Sequence, residues 1–206
     1  MSKYLRQLAA IMVIIFSGFM AYAGSPAEEV MKNCAAKFSN APSVTVEFAI
    51  AQSDGSATGS MLMSKRLFRL SAADLTIWFD GKTQWTYMAN ANEVNITEPT
   101  GEELMESNPF ELISTFQQNF NCKVLTSSNV ADIIELTPKY KGTNISSAKI
   151  TVSKSTGWPT AMIIAFDGGN TISVSIGKIT VGKAVSVSQF RYDPKVCHGA
   201  QIVDLR

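Results

Sequence analysis

The sequence is poor in the residues that most catalytic and metal sites use. Its 206 residues include one histidine and three cysteines, and no two cysteines form a C-x-x-C pair. A zinc site of the three cysteines and His198 is an alternative that their spacing does not favour. We therefore expect neither a resident metal nor a cofactor.

The sequence also lacks the common signatures of catalysis. It contains no G-x-S-x-G, no H-E-x-x-H and no glycine-rich phosphate loop. A Ser-His-Asp or Cys-His site would need His198, which lies in a stretch that we expect to be an extended tail. Glu102 and Glu103 could suggest the paired carboxylates of a glycoside hydrolase. However, adjacent residues on a helix point in different directions, and glutamates in a first turn suit the helix dipole. We predict a protein that is not an enzyme. An exported hydrolase is the alternative, and replacing His198 with alanine would test it.

No excess of charge and no basic run is present. The chain has 18 lysines and arginines against 17 aspartates and glutamates, for a net charge of +1. This balance argues against a nucleic-acid partner.

No apolar run reaches the ~20 residues that a transmembrane helix needs. The apolar run at residues 8–20 follows Lys3 and Arg6 and precedes Ala21-Tyr22-Ala23, the small-x-small pattern of a cleavage site. An uncleaved membrane anchor is the alternative. We predict a signal peptide over residues 1–23, cleavage near Ala23, and release into the periplasm.

Residues 24–206 are predicted to form one domain, since no repeat, linker or low-complexity stretch divides them. The three cysteines, Cys34, Cys122 and Cys197, are an odd number for an oxidising compartment. They would allow one disulfide, but the sequence does not choose among the pairings. Buried or incidental thiols are the simpler expectation.

The pattern of apolar residues changes twice along this domain. Ser25-Pro26 and an apolar stripe predict a helix over residues 26–39. From Val44 the period changes to two, and tight turns such as Asp80-Gly81 join successive strands, which favours an antiparallel sheet. Two short helices interrupt the strands, one at the capping box of residues 100–103 and one after Asn108-Pro109. Strands are predicted again after these helices, and the last of them covers residues 184–192.

The tally is roughly ten strands and three helices, which predicts a large curved sheet with helices covering one face. Methionines are concentrated close in sequence to aromatic residues, at Met61, Met63, Met88 and Met105. A filled core is one explanation. Because methionine adapts to irregular apolar partners, and a curved sheet can enclose a lumen, an apolar ligand is the other.

Four blocks of sequence resemble the outer-membrane lipoprotein carrier proteins, the LolA family. Residues 80–87 read D-G-K-T-Q-W-T-Y and resemble that family's D-G-K-T-x-W-x-Y hairpin. Residues 108–113 resemble its N-x-P-F-x-L-I helix start, and residues 136–139 its L-T-P-K strand end. Phe190-x-Tyr192-x-Pro194 and Val203-Asp204-x-Arg206 resemble its tail. The blocks occur in the family's order over nearly all of residues 24–206.

The resemblance implies a mainly β fold with some α, in which an incomplete, half-open antiparallel β-barrel carries a helical lid over an apolar cavity. It implies a periplasmic chaperone, acting as a monomer, that moves acylated lipoproteins from the inner to the outer membrane. The implied partners are an inner-membrane lipoprotein-releasing ABC complex and, in some systems, an outer-membrane receptor. A periplasmic acyl-binding sensor of envelope state with the same fold is the alternative function.

The resemblance, with the pattern of apolar residues, also suggests which side chains meet the lipid. The expected lipid-binding residues are Phe48, Met61, Met63, Phe68, Leu70, Ile77, Trp85, Tyr87, Phe110, Ile113 and Phe116. The family often has an arginine at the end of the second strand that favours closure of the lid. Lys65-Arg66 occupies that stretch here without the following proline, so either residue is a candidate for a lid latch.

Overall fold

The computed structural model describes residues 25–53, 55–197 and 199–206. The expected signal peptide of residues 1–23 and the expectations for His198 lie outside these residues.

The first helix, α1 (Pro26–Asn40), begins and ends where local chemistry requires. The Ser25 hydroxyl accepts a hydrogen bond from the Glu28 backbone N–H at 3.2 Å. Pro26 suits the first helical position because it has no backbone N–H that would need a partner there. Glu28 and Glu29 lie in the first turn and Lys37 in the last, which suits the helix dipole. The prediction of a helix over residues 26–39 is confirmed.

Twelve strands among the described residues form one sheet. Their bounds are β1 (Ser43–Gln52), β2 (Gly55–Ser64), β3 (Leu67–Ala72), β4 (Leu75–Phe79), β5 (Gln84–Met88), β6 (Glu93–Thr97), β7 (Phe120–Ser127), β8 (Ala131–Pro138), β9 (Ile145–Ser153), β10 (Pro159–Phe166), β11 (Thr171–Gly182) and β12 (Gln201–Asp204).

The sheet consists of two meanders joined in the middle. The strand order is β12-β6-β5-β4-β3-β2-β1-β11-β10-β9-β8-β7, so β1 to β6 are consecutive neighbours and so are β7 to β11. The pairing of β1 with β11 joins the two meanders, and a bulge between Val46 and Phe48 interrupts it. All pairs are antiparallel except β12 with β6. The sheet is open, with β12 at one edge and β7 at the other.

Two short helices connect the meanders. α2 (Gly101–Ser107) has the predicted capping box, in which Thr100 and Glu103 bond to each other's backbone N–H groups. α3 (Glu111–Asn119) begins two residues later than Asn108-Pro109 suggested, and the Asn108 carboxamide oxygen accepts from the Phe110 N–H in the turn that precedes it. α3 packs against α1 and β7.

The helices bury one face of the sheet in a single core. Met31 and Cys34 of α1 and Leu112, Ile113 and Phe116 of α3 are at most 2% exposed. They pack with inward-facing residues of both meanders, among them Val46, Met61, Ile134 and Ile150. Alternation along each strand places these residues on one face, as the period of two predicted.

The C-terminal segment differs from the prediction. Residues 184–192 were expected to form a strand, but Val187–Phe190 is a short 3-10 helix in which only Phe190 is buried. The Ser186 hydroxyl accepts from the Ser188 N–H, a local bond that competes with strand pairing. The chain then runs over the outer face of the sheet and adds β12 beside β6.

Over the described residues the fold is therefore mainly β with three α-helices, as expected, and the sheet is open. No helix within the described residues is long and apolar enough to cross a bilayer.

Candidate functional site

An apolar cavity of about 620 Å³ lies on the helix-covered face of the sheet. It is found where the hairpins β1–β2, β3–β4 and β5–β6 turn, and where β10 turns into β11. Most of its lining is apolar: Phe48, Ile50, Ala57, Leu70, Ala72, Ala73, Leu75, Ile77, Met88, Ala91, Met105, Pro109, Ile164, Phe166 and Ile172. Its polar lining residues are Gln52, Asp74, Asn90 and Ser107.

Strand register explains why these residues meet. Leu70 on β3 lies opposite Ile77 on β4, and Ile50 on β1 lies opposite Ala57 on β2. Residues that are directly opposite share a face of the sheet. The walls therefore come from every second residue of neighbouring strands, and small side chains at positions 57, 72 and 73 leave the space open.

Phe48 forms part of the cavity wall because Gly59 has no side chain. A Cβ atom on Gly59 would lie 2.8 Å from Phe48 Cζ and 2.7 Å from the Ser71 carbonyl oxygen. The Phe48 ring thus covers Gly59 on the opposite strand, with 6% of its surface exposed.

α2 lies over the cavity and is attached to the sheet by few bonds. The Ser107 hydroxyl donates to the Gln84 carboxamide oxygen on β5 at 3.1 Å. Met105 contributes to the cavity wall and accepts a long hydrogen bond from Thr115 of α3 at 3.9 Å. Leu104 and Met105 of α2 are buried in the core, so apolar packing adds to these bonds in holding α2 over the cavity.

The structure brings three of the predicted lipid-binding residues to the cavity wall: Phe48, Leu70 and Ile77. Six others belong to the same core but fill the space beyond the cavity. They are Met61, Met63, Phe68, Phe110, Ile113 and Phe116, and each is at most 8% exposed.

Trp85 and Tyr87 lie on the other face of the sheet from the cavity. Trp85 pairs with Trp78, whereas Thr86 pairs with the cavity residue Ile77. The two aromatics share one face, as expected, but it is the outer face. There they join a second apolar cluster with Trp78, Val94 and Cys197. Their assignment to the cavity is corrected here, since alternation shows which residues share a face but not which face is covered.

Sequence reasoning missed the wall that β10 and β11 contribute. Ile164, Phe166 and Ile172 line the cavity because β11 pairs with β1, more than a hundred residues earlier in the chain. The alternation in β10 was readable, but nothing local indicates which strand lies beside it.

The two candidate latch residues lie in the β2–β3 turn, beside the helices. Lys65 and Arg66 line a groove of about 490 Å³ together with residues of α1 and α3. Burial raises the pKa of the Glu111 carboxyl at the start of α3, and the positive charge of Arg66 opposes that rise with a smaller lowering. Lys65 has a left-handed backbone, with φ of 54°.

The cysteines offer no activated nucleophile. All three are free thiols, and burial raises the pKa of Cys34 to about 12 and that of Cys122 to about 11. Burial also raises the pKa of Cys197. A thiol with a raised pKa stays protonated at neutral pH and is a poor nucleophile. Among residues 25–53, 55–197 and 199–206, no three histidine, cysteine or carboxylate groups are placed to hold a metal ion.

Residues 16–156 match the family model described as the outer membrane lipoprotein carrier protein LolA. No curated protein sequence matches the chain. An uncharacterised conserved protein of Thermus thermophilus is similar in structure, with a TM-score of 0.59 and 11% identity over 86% of this chain and 98% of that one.

Two further solved structures are less similar. A LolA superfamily protein of Nitrosomonas europaea has a TM-score of 0.49 and 12% identity, over 82% of this chain and 99% of that one. The MucA/MucB complex of Pseudomonas aeruginosa gives a TM-score of 0.45 and 14% identity, over 87% of this chain and 64% of that one.

Proposed function

Because the chain belongs to the outer membrane lipoprotein carrier family, LolA, we propose that it is a periplasmic carrier that buries the acyl chains of lipoproteins in its apolar cavity. The observation that carries this proposal is the cavity itself, about 620 Å³ with mostly apolar walls. Soluble proteins bind small apolar ligands in concave sites of this size.

The energetics of a bare acyl chain explain why a carrier is needed. Each methylene removed from water contributes ~0.8 kcal/mol, so an unshielded lipoprotein would aggregate or return to a bilayer. A carrier must cover the chain and still release it. In this proposal α2 moves aside for release, which breaks its hydrogen bonds to the sheet and to α3 and exposes Leu104 and Met105, at a cost of about 3–6 kcal/mol for the two side chains.

We propose that the fold acts as the half-open barrel with a helical lid that the family resemblance implies. In this proposal the curved open sheet holds the chain, and α2 covers it. Arg66 is the better latch candidate of the two, because its charge acts on Glu111 at the start of α3. Delivery from an inner-membrane ABC complex, and transfer to an outer-membrane receptor, belong to the same proposal, as do the cleaved signal peptide and the absence of enzymatic activity.

The experiment is the recovery of a carrier–lipoprotein complex. The protein would be purified from a periplasm that contains a triacylated lipoprotein, and a 1:1 complex would be sought by native mass spectrometry. Ala72→Phe fills the cavity from a small wall residue and should abolish the complex. Ala161→Phe is the matched control, because Ala161 lies on the outer face of β10.

A second matched pair tests the polarity of the wall. Ile164 lines the cavity and is 3% exposed, whereas its neighbour Ile163 points outward and is 45% exposed. Ile164→Glu should abolish the complex, and Ile163→Glu should retain it. Because Ile164→Glu could also unfold the protein, its circular dichroism spectrum is first compared with that of the wild type. If the variant is unfolded, the result for Ala72→Phe decides whether the cavity binds the acyl chain.

Protein that holds free fatty acid or phospholipid but never a lipoprotein would favour the acyl-binding sensor instead. Loss of the complex in both members of each pair would show that the cavity is not the binding site.

A further inference from the structure

The turns of the sheet divide between two ends of the molecule. Because neighbouring strands from β1 to β11 are antiparallel, every second turn lies at the same end as the start of β1 and the exit of β11. We call this the basic end, and it consists of residues 37–43, 64–67, 80–83, 127–132, 153–159 and 182–184. The cavity is found at the opposite end, roughly 25–35 Å away along strands of eight to ten residues.

Direct contacts hold the parts of the basic end together. The Ser64 hydroxyl donates to the Pro42 carbonyl oxygen at 2.8 Å, and the Ser43 hydroxyl donates to the Lys183 carbonyl oxygen at 2.7 Å. The Lys154 backbone N–H donates to a carbonyl oxygen of the β7–β8 turn at 2.9 Å. Neighbouring turns are therefore joined into one surface.

Cations exceed carboxylates at the basic end. Three carboxylates there are neutralised in the ion pairs Asp80–Arg191, Asp132–Lys154 and Glu98–Lys82. Among the described residues, no carboxylate lies within 4.0 Å of Lys37, Lys65 or Lys183. The charge of Arg66 acts on the buried carboxyl of Glu111. At least three positive charges of this surface are therefore without an ion-pair partner in that part of the chain.

The end with the cavity carries the opposite excess of charge. Among the described side chains of its turns and of α2, five are carboxylates and two are lysines, namely Asp74, Glu93, Glu102, Glu103 and Asp167 against Lys139 and Lys141. Charge that is separated along the strands in this way orients a molecule in the field of a charged surface.

Residues typical of a membrane interface accompany the cations of the basic end. Lys37 Nζ lies 5.4 Å from the centroid of the half-buried Trp158 ring, beside β10. Val130 and Val181 are 74% and 55% exposed. Tryptophan and basic residues concentrate where a bilayer meets water. A bilayer offers anionic head groups to the cations and an apolar layer to the valines, whereas an acidic protein surface offers only the first.

We propose that the basic end docks on a bilayer surface that contains anionic phospholipids, with the cavity turned away from that surface. Each cation near such a surface raises the partition coefficient about fivefold, which corresponds to ~1 kcal/mol. A few cations therefore give reversible binding, which brings the protein to a membrane without inserting it. This inference goes beyond the proposed carrier function and does not depend on it.

Vesicle sedimentation tests the dependence on charge. The protein purified from the periplasm would be mixed with vesicles of phosphatidylcholine alone, or of phosphatidylcholine and phosphatidylglycerol in equal parts, at physiological ionic strength. It should sediment with the anionic vesicles only. The double variant Lys65→Gln/Lys183→Gln should lower the partition coefficient about 25-fold, or about fivefold for each cation. Arg66 is kept because it is the latch candidate.

A matched double variant is the control for net charge. Lys141 lies in the β8–β9 connection, and Lys149 lies on the outer face of β9 opposite Ile163. Lys141→Gln/Lys149→Gln makes the same change in net charge away from the basic end. It should change the partition coefficient less than about twofold, because charges beyond a Debye length of ~8 Å are screened.

Two fluorescent labels test the orientation. Val130 and Tyr140 are almost equally exposed, at 74% and 73%, and lie at opposite ends of the sheet. Val130→Cys and Tyr140→Cys would each carry a polarity-sensitive fluorophore. The raised pKa values of the native thiols direct the label to the introduced cysteine. Anionic vesicles should move the emission of the label at position 130 to shorter wavelength and leave that at position 140 unchanged.

The outcomes separate this proposal from the carrier function. Equal binding to both kinds of vesicle, equal losses in the two double variants, or a shift of the label at position 140 would overturn the docking proposal. A wild-type protein that ignores anionic vesicles would overturn it too, and would favour an acidic protein as the partner of the basic end. The lipoprotein complex is measured separately by native mass spectrometry, so its presence or absence decides the carrier function alone.

Discussion

At the scale of single residues, the buried carboxylate of Glu111 links stability to pH. Glu111 is 9% exposed, and burial raises the pKa of its carboxyl above the ordinary value of 4.5, with a smaller opposing effect from Arg66. A raised pKa in the folded state means that this group's contribution is fully present below pH 4.5. It is lost as the pH rises through the folded-state pKa.

Glu111→Gln should therefore make the protein more stable at pH 7 and leave it nearly unchanged at pH 4. Urea unfolding midpoints at the two pH values measure the effect. Glu102→Gln, at an exposed position in α2, is the control and should change neither midpoint. An equal shift for Glu111→Gln at both pH values would contradict the assignment.

Gly59 is a second residue with a defined steric role. Gly59→Ala places a Cβ within 2.8 Å of Phe48 Cζ and the Ala72 Cβ, so the ring or the strands must shift. We expect a loss of about 1–3 kcal/mol in the free energy of unfolding, as for other overpacked sites. The matched control is Gly168→Ala, where no atom lies within 4 Å of the added Cβ. A loss of stability that is equal in the two variants would refute the steric explanation.

The sequence was a weaker guide to the single residues that line the cavity than to the helices and strands. Of the residues that the resemblance and the apolar pattern suggested, Phe48, Leu70 and Ile77 lie at the cavity wall, whereas Met61 and Phe68 have the same period and lie in filled core. Which inward-facing residues meet empty space depends on where helices pack, and that is not a local property. The sequence also did not show that Trp85 lies on the outer face, because the choice of the face that the helices cover is not a local property either.

At the scale of elements, Asp80 joins a hairpin to the C-terminal segment. Asp80 Oδ1 accepts from the backbone N–H groups of Lys82 and Thr83, at 3.2 and 3.0 Å. Asp80 Oδ2 accepts from Arg191 Nε at 3.0 Å. The aspartate of the D-G-K-T block is thus a structural residue of the turn, with one side-chain partner, Arg191, directly after the 3-10 helix.

The two partners should contribute unequally. Asp80→Ala removes both turn bonds and the ion pair, and should lower the free energy of unfolding by about 2 kcal/mol. Arg191→Ala removes only the ion pair, and the arginine side chain is 61% exposed, so we expect less than ~1 kcal/mol. Urea denaturation of both variants checks this, and equal losses would show that the ion pair dominates.

Elements defined by local signals were predictable, and those defined by distant partners were not. The bounds of α1, the capping box of α2 and the turn at Asp80-Gly81 follow from neighbours in sequence. The pairing of β1 with β11 and the parallel pairing of β12 with β6 join segments far apart in the chain. β12 has four residues, too few for a period to be recognised.

At the scale of the whole molecule, one open sheet supports two different packings on the same face. α1 and α3 fill the space over β7 and its neighbours with side chains, while the hairpin turns, the β10–β11 turn and α2 surround a cavity. This division supports a rigid scaffold with one adaptable end. Opening at α2 would leave the packing of α1 and α3 in place and would expose Leu104 and Met105.

The most direct test of the carrier account is to map where a bound acyl chain lies. A lipoprotein whose acyl chains carry a photoreactive diazirine would be bound, irradiated and digested, and the labelled peptides identified by mass spectrometry. The account predicts labels in β3, β4 and β10, at wall residues such as Leu70, Ile77 and Ile164. Labels concentrated in the groove of Lys65 and Arg66, or in the outer cluster around Trp78, would contradict it.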